Sequence, residues 1–328
     1  MSSPAPHITC IGLANVDVIA GVDDDFIVAN KIAKGATTLL DSCAAGNVLA
    51  KLDKPEFYPG GGAANAACGI SSFGLPVSFI GKTGDDIYAE IFRKGFAPYD
   101  IRYDVPPYGM KMTSTCLTLI TPDKDRSFAL CTDTAGWCIT PEDLPDLPHE
   151  ENQFVYLETN TARMPVGGKK NVLRAAVEKY SGTGIKIIVN LNDSEIVKAS
   201  KETLKDILSA DIHFFIGNVY ETLSLFDTDD LALVCEFIWG TGRNFAITNG
   251  ADGAYLVMKQ GLTHMPAIDL PESRIVNTVG AGDQFAAGFI AGLALGKTEE
   301  EACRMGLEAS GKILQEASGR PRVKGRAA

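Results

Sequence analysis

Apolar and polar positions alternate along this chain in two rhythms. Short apolar runs recur at Ile8–Leu13, Val77–Ile80, Phe154–Leu157, Ile185–Asn190, His213–Gly217, Phe245–Asn249 and Ala254–Met258, and each predicts a buried strand. Between them lie segments of helical composition: Ala63–Phe73, Asp85–Phe92, Lys169–Tyr180, Lys201–Ser209, Leu231–Gly240, Ala281–Leu295 and Thr298–Ala317. Strand and helix in alternation predict an α/β fold with ligands near the carboxyl ends of the strands.

Two stretches depart from this rhythm. Near the start, Val16–Ala20 is a further strand candidate, followed by the acidic patch Asp23–Asp25, a strand at Thr37–Leu40 and a short helix at Cys43–Leu52. Later, the β-rich runs Thr113–Ile120 and Arg126–Thr132 flank Thr121-Pro-Asp-Lys-Asp125, a composition suited to a hairpin. Such a hairpin belongs to a small separate sheet or lid, or else inserts into the main sheet. Gly319–Ala328, with four basic residues and two glycines, reads as a frayed tail. No internal repeat or low-complexity linker divides the chain.

Composition narrows the class. With 328 residues and 45% hydrophobic positions, the chain can bury one large core and is not globally disordered. No apolar run reaches the ~20 residues of a membrane span. The first residues, Met1–His7, carry no basic region leading into an apolar one, so a secretory leader is not expected. Eight cysteines without a CxxC pair fit a reducing, cytoplasmic compartment, and four histidines give little basis for a zinc site. The formal charge of −11, with no long basic stripe, argues against a nucleic acid polymer as partner. It leaves room for an anionic small ligand, because backbone amides can bind phosphate on an acidic surface.

Glycine, at 33 residues, stands above its ~7% average. Part of the excess is in Asn277-Thr-Val-Gly-Ala-Gly-Asp283, which opens the segment Gln284–Leu295. Phe285, Phe289 and Leu293 recur every four residues and predict one buried helical face, while Gly288, Ala291 and Gly292 permit close packing beside it. Gly280, Ala281 and Gly282 have little bulk and can aim the free amides of a helix start at phosphate oxygens. An ionised Asp283 beside them can take the proton of an alcohol attacking phosphorus; alternatively it only caps the helix.

This segment closely resembles the second signature of the ribokinase-like, or PfkB, carbohydrate and nucleoside kinase family. Tyr58-Pro-Gly-Gly-Gly-Ala-Ala-Asn-Ala66 resembles its first signature, and the resemblance spans almost the whole chain, including Gly12–Asp17 and Asn218-Val-Tyr-Glu221. It implies a ribokinase-like three-layer α/β/α core with a small β-rich lid, here about 14–55 and 105–133, within a single kinase domain over 1–328. It implies transfer of the γ-phosphoryl group of ATP, with Mg2+, to a hydroxyl of a small-molecule sugar or nucleoside, by a monomer or homodimer.

The residue roles follow from the same resemblance. Asp283 is the catalytic base, and Gly280, Ala281 and Gly282 form the anion hole. Asn15, Asp17, Gly61, Gly62 and Asn65 bind the acceptor. Asn190, Thr248, Gly250 and Gly253 lie on the nucleotide side, and Asn218 and Glu221 serve the metal, partly through water. Asn277 departs from the pattern, standing where the family usually has Asp. An amide cannot supply that charge, so Asn277→Asp is expected to preserve or raise metal-dependent turnover.

The long segment between Asp17 and Gly60, together with Ser318-Gly-Arg-Pro321, is similar to adenosine-kinase-like members, so transfer to a ribose 5′-hydroxyl is the narrower expectation. Phe26 and Phe128 are candidates to face a nucleoside base, and Arg126 to approach phosphate. A kinase of other acceptor specificity is the direct alternative, and a ligand-binding protein impaired by Asn277 is the non-enzyme one. A dinucleotide-binding Rossmann fold is disfavoured because Ile11-Gly-Leu-Ala14 lacks the repeated glycine spacing.

Overall fold

Near-continuous apolar strands can be covered on both faces, and the helices between them have apolar stripes to cover them with. The computed structural model describes residues 6–149, 152–164 and 171–322. In chain order, β1 (His7–Ile11) and β2 (Asn15–Gly21) lead to the short helix α1 (Asp24–Ala29), β3 (Thr37–Leu40), α2 (Ser42–Leu49), β4 (Glu56–Gly60) and α3 (Gly62–Ser72). Then come β5 (Val77–Ile80), α4 (Ile87–Lys94), β6 (Ile101–Arg102), β7 (Ser114–Ile120) and β8 (Arg126–Cys131). The second half runs β9 (Gln153–Glu158), α5 (Val172–Tyr180), β10 (Lys186–Asn190), α6 (Ser194–Ile207), β11 (Phe214–Asn218), α7 (Val219–Phe226) and α8 (Leu231–Thr241). It closes with β12 (Phe245–Thr248), β13 (Ala254–Met258), β14 (Gly261–Met265), α9 (Ala281–Ala294) and α10 (Glu299–Ile313).

Nine strands form one sheet in the order β14-β13-β12-β11-β10-β9-β1-β5-β6, parallel from β12 through to β6, with β13 and β14 antiparallel at one end. Side chains alternate between two cores. Cys10, Tyr156, Ile188, Phe214 and Ala246 pack with α3, α9 and α10, whereas Ile11, Leu157, Val189, Phe215 and Phe245 pack with α5, α6 and α8. This is the three-layer α/β/α arrangement. Phe285, Phe289 and Leu293 are buried as their spacing predicts. Gly288 lets α9 close on α10: a Cβ there would lie 2.4 Å from the Met305 carbonyl oxygen.

The hairpin enters a separate five-stranded sheet, ordered β3-β8-β7-β2-β4. Its back face carries a core of its own, formed by Val18, Ile27, Val48, Leu117, Leu119 and Ala129. Asp17, Cys116 and Leu130 share the opposite face, as do Ile19, Thr118 and Phe128 two residues along each strand.

Several sequence expectations change. The acidic patch starts α1, where Asp23 accepts a hydrogen bond from the Phe26 N–H as its N-cap. Helix α6 begins at Ser194, seven residues before the predicted start, because Asp193 caps it. The helix expected from Lys169 is seen as Val172–Tyr180, its first residues lying outside the described ones. The largest correction concerns the tail. Gly319–Arg322 is folded onto the molecule and Arg320 is buried, while 323–328 lie outside the described residues.

Candidate active site

The parallel strands deliver a row of polar residues to one edge of the large sheet. Glu158 ends β9 and pairs in register with Asn190, which ends β10. Asn218 ends β11 and pairs with Thr248, which ends β12. At ~4.8 Å per strand, Glu158 to Thr248 spans about 14 Å. Asn190 is turned inward, donating from Nδ2 to the Tyr156 hydroxyl at 2.8 Å. Thr248 donates to the Gly217 carbonyl at 3.4 Å, and Gly250 and Gly253 both hold positive φ in the turn beyond it.

The first glycine segment makes the corner between β4 and α3. Gly61 has φ +92°, and a Cβ there would lie 2.3 Å from the Leu13 carbonyl oxygen, so no other residue fits. Beside it, Asn15 Nδ2 donates to Asp17 Oδ1 at 2.7 Å. One turn into α3, Asn65 Nδ2 donates to Asp283 Oδ2 at 2.9 Å. The hydrogen of Gly62 that a side chain would replace faces Asn192, Asp283 and Glu158, each within 3.1 Å of a Cβ placed there. Thus Asn15, Asp17, Gly61, Gly62, Asn65 and Asp283, scattered over 269 positions of sequence, converge on one cleft.

Gly280 caps α9 in the left-handed region, φ +78°, and packs against Gly319. The N–H of Ala281 reaches the Thr278 carbonyl at 3.3 Å and that of Gln284 the Gly280 carbonyl at 2.8 Å. Among the described residues, the N–H groups of Gly282 and Asp283 have no backbone partner, and open space lies over Gly282. A helix start with free amides next to a carboxylate is therefore realised. Asn277 lies at the base of this turn. Its Oδ1 accepts from the Val279 N–H at 2.6 Å and its Nδ2 donates to the Ala317 carbonyl at 2.9 Å.

Four carboxylates share the cleft, and burial pushes each upward. Asp283 is raised to about 6 by burial, opposed by the Asn65 hydrogen bond and the Arg320 charge. Asp17 is likewise raised by burial to about 6, with Arg320 opposing and Asp283 adding to the rise. Glu158, 0% exposed, is pushed to about 7 by burial although it accepts from the N–H groups of Leu13 and Ala63. Glu221 is raised by burial to about 7, with Asp193 and Asp283 adding to the rise, even though it accepts from the Asn218 N–H at 2.9 Å in a reciprocal capping box. An Asp held near 6 is still ionised at neutral pH and is a better proton acceptor than an ordinary one.

These features meet a clear counterpart among known proteins. The profile of the pfkB family carbohydrate kinases matches residues 5–323. The chain belongs to this family. Superposition on the adenosine kinase of Sinorhizobium meliloti gives a TM-score of 0.86 at 27% identity, covering 97% of this chain and 96% of that one. A probable sugar kinase from Rhizobium etli CFN 42 gives 0.85 at 26%, covering 98% and 96%. A fructokinase of Klebsiella pneumoniae is 26% identical over 250 residues, 72% of this chain and 77% of that one. The protein is an ATP-dependent sugar or nucleoside kinase with the ribokinase-like α/β fold.

In this pfkB kinase, two cleft residues escape sequence reading. Glu158 looks like an ordinary strand end, yet its carboxylate joins the end of β1 to the start of α3. Arg320 sits in a basic, glycine-containing segment but is 6% exposed, donating from Nε to Asn65 Oδ1 at 3.0 Å and from Nη2 to the Gly60 carbonyl at 3.2 Å. A single arginine seven residues after a helix of ordinary composition carries no spacing signal. Of the two aromatic candidates, Phe128 shares the Asp17 face of the small sheet and Phe26 packs on its back face. No described helix is long and apolar enough to cross a membrane.

Proposed function

We propose that this kinase transfers the γ-phosphoryl group of ATP to the ribose 5′-hydroxyl of a nucleoside of the adenosine class. The observation that carries the proposal is the cleft between Asp17 and Asp283. It is bridged to α3 by Asn65 and flanked, on the Asp17 face, by the half-buried apolar strip Ile19, Phe128 and Leu130. Asp17 has two oxygens to receive neighbouring ribose hydroxyls, and an aromatic ring alongside suits a flat base better than a bare sugar. The chain-long likeness to an adenosine kinase supports the same choice. The similar likeness to a probable sugar kinase favours a free sugar as the second reading.

In the reaction, the Asp283 carboxylate accepts the hydroxyl proton while the alkoxide oxygen forms its bond to the γ-phosphorus. The bond from that phosphorus to the β,γ-bridging oxygen breaks, and ADP leaves with the electron pair. The free amides at Gly282 and Asp283 oppose the negative charge on the transferring group. The five-stranded sheet acts as the lid, closing on the acceptor and excluding water. On the nucleotide side, Thr248, Gly250 and Gly253 line the approach of the phosphates, and exposed Ile268 and Val276 offer apolar cover for the purine beside Gly311.

Magnesium fits this cleft in one way. Among the described residues no three His, Cys, Asp or Glu side chains are grouped to hold a metal alone. Asn218 and Glu221 supply one amide and one carboxylate, already bonded to each other at 2.7 Å. That donor set suits an ion carried on the nucleotide phosphates and held by Glu221 through water, where it neutralises charge on the phosphates. All eight cysteines are free, which supports a reducing cytoplasmic setting.

The test is the purified protein with ATP, Mg2+ and a mixed panel of nucleosides and sugars, with products resolved by mass. Adenosine monophosphate is the expected product. Exclusive phosphorylation of a free sugar or sugar phosphate overturns the nucleoside assignment.

A further inference from the structure

The segment after α10 is bound back across the cleft as a strap. The Leu314 carbonyl accepts from the Val276 N–H at 2.8 Å and the Ala317 carbonyl from Asn277 Nδ2 at 2.9 Å. Gln284 Nε2 donates both to the Gly319 carbonyl and to the Asn65 carbonyl, each at 3.0 Å. The Tyr99 hydroxyl donates to the Pro321 carbonyl at 2.6 Å. This strap carries Arg320 into the interior against the rings of Phe92 and Phe96, 5.8 and 5.2 Å from their centroids.

A charged side chain among aromatic rings is an expensive way to fill space, and an apolar residue would pack there at less cost. What a guanidinium adds is direction. Arginine is donor-only, so the Asn65 atom it faces must be the accepting oxygen. The other end of the same carboxamide is then the NH2 group, and it faces Asp283 Oδ2. The ionised Asp283 carboxylate, an acceptor only, calls for the same orientation, so guanidinium and carboxylate select it together, and the arginine still holds it once Asp283 has taken up the proton. The Nη2 bond to the Gly60 carbonyl holds the corner preceding Gly61 and Gly62 in the same stroke.

We propose that Arg320 is a positioning residue for phosphoryl transfer: by fixing the carboxamide of Asn65, it sets the carboxylate of Asp283 against the acceptor hydroxyl. This rests on the reading of Asp283 as the base. Arg320 itself touches no reacting atom.

The test compares wild type with Arg320→Ala and Arg320→Lys. In Arg320→Ala, kcat is expected to fall 10- to 100-fold with KM for ATP within threefold of wild type. Guanidinium chloride at tens of millimolar, against sodium chloride as control, is expected to restore kcat at least fivefold in that variant and not in wild type. Arg320→Lys, which keeps the charge and one donor, is expected to fall between the two. A kcat within twofold of wild type overturns the proposal. So does a loss in which KM for ATP rises in step and guanidinium restores nothing, because that pattern marks a general structural role. Hydrogen exchange needs no acceptor and separates this proposal from the kinase assignment. Faster exchange in Arg320→Ala confined to peptides spanning 60–68 and 277–285 is expected even if no acceptor is turned over, and unchanged exchange there overturns the strap's role.

Discussion

Asn65 and Asp283, 218 positions apart in the chain, are joined by one hydrogen bond of 2.9 Å. The bond ties the helix that follows the first glycine segment to the carboxylate that follows the second. Asp283→Asn keeps an acceptor for Asn65 and removes only the basic oxygen. A general base contributes roughly 10²- to 10⁴-fold to a rate, so kcat is expected to fall by that order with nucleotide binding retained. Steady-state kinetics beside calorimetric titration with ATP checks this, and turnover within threefold of wild type contradicts the role.

The buried carboxylates also predict an unusual pH dependence of stability. Asp17 and Asp283 near 6, and Glu158 and Glu221 near 7, are all raised above their unfolded values. The folded protein therefore binds protons that the unfolded chain has already released. Their contribution is fully present below about pH 4 and is lost as pH rises through 6 and 7. Melting of the ligand-free protein is expected to move to lower temperature between pH 5 and pH 8. Glu221→Gln is expected to remove on the order of 1 to 3 kcal/mol of that change, at about 1.36 kcal/mol per unit. Scanning calorimetry across this range reads both effects.

Asn277 gives a prediction opposite to the one its sequence position suggests. Its amide donates to Ala317 while its oxygen accepts from Val279. A carboxylate can do only the second, and would face a carbonyl oxygen with negative charge. Asn277→Asp is expected to cost about 1 kcal/mol of stability and to lower turnover rather than raise it. Chemical denaturation and kinetics of the variant decide between the two expectations.

Glu158 holds two buried N–H groups from different elements, those of Leu13 and Ala63. Glu158→Ala leaves both without a partner, at ~1–3 kcal/mol each. The variant is expected to melt well below wild type and to lose activity. Glu158→Gln, which can still accept from one of them, is expected to lie between. Thermal melts of the pair order the three proteins.

Phe128 separates the two acceptor readings. Stacking a base on an aromatic ring is worth ~1–3 kcal/mol per base. Phe128→Ala is therefore expected to raise KM for adenosine about tenfold while leaving KM for ATP unchanged. An equal change for a free sugar would show that the ring is only packing.

Much of the fold is written in periodicity. The strands at Val77–Ile80 and Ala254–Met258 are found at their predicted bounds, because each is a short apolar run bordered by turn residues. The strand Gly261–Met265 escaped because it is an edge strand with alternate residues exposed and little apolar content. Glu56–Gly60 escaped because Pro59 argues against a strand, and an edge position tolerates it. In the site, glycine segments were legible because a missing side chain at fixed spacing leaves a visible pattern. Glu158 and Arg320 were not, since their roles come from partners 95 and 255 residues away.

The strap has a consequence for the timing of biosynthesis. The large sheet and both glycine segments precede residue 284, and an emerging chain folds from its amino end. Yet the guanidinium that orients Asn65 enters only with residue 320. A nascent chain can thus have its core assembled and still lack a competent proton acceptor. Activity would switch on once the strap has been made rather than grow with length.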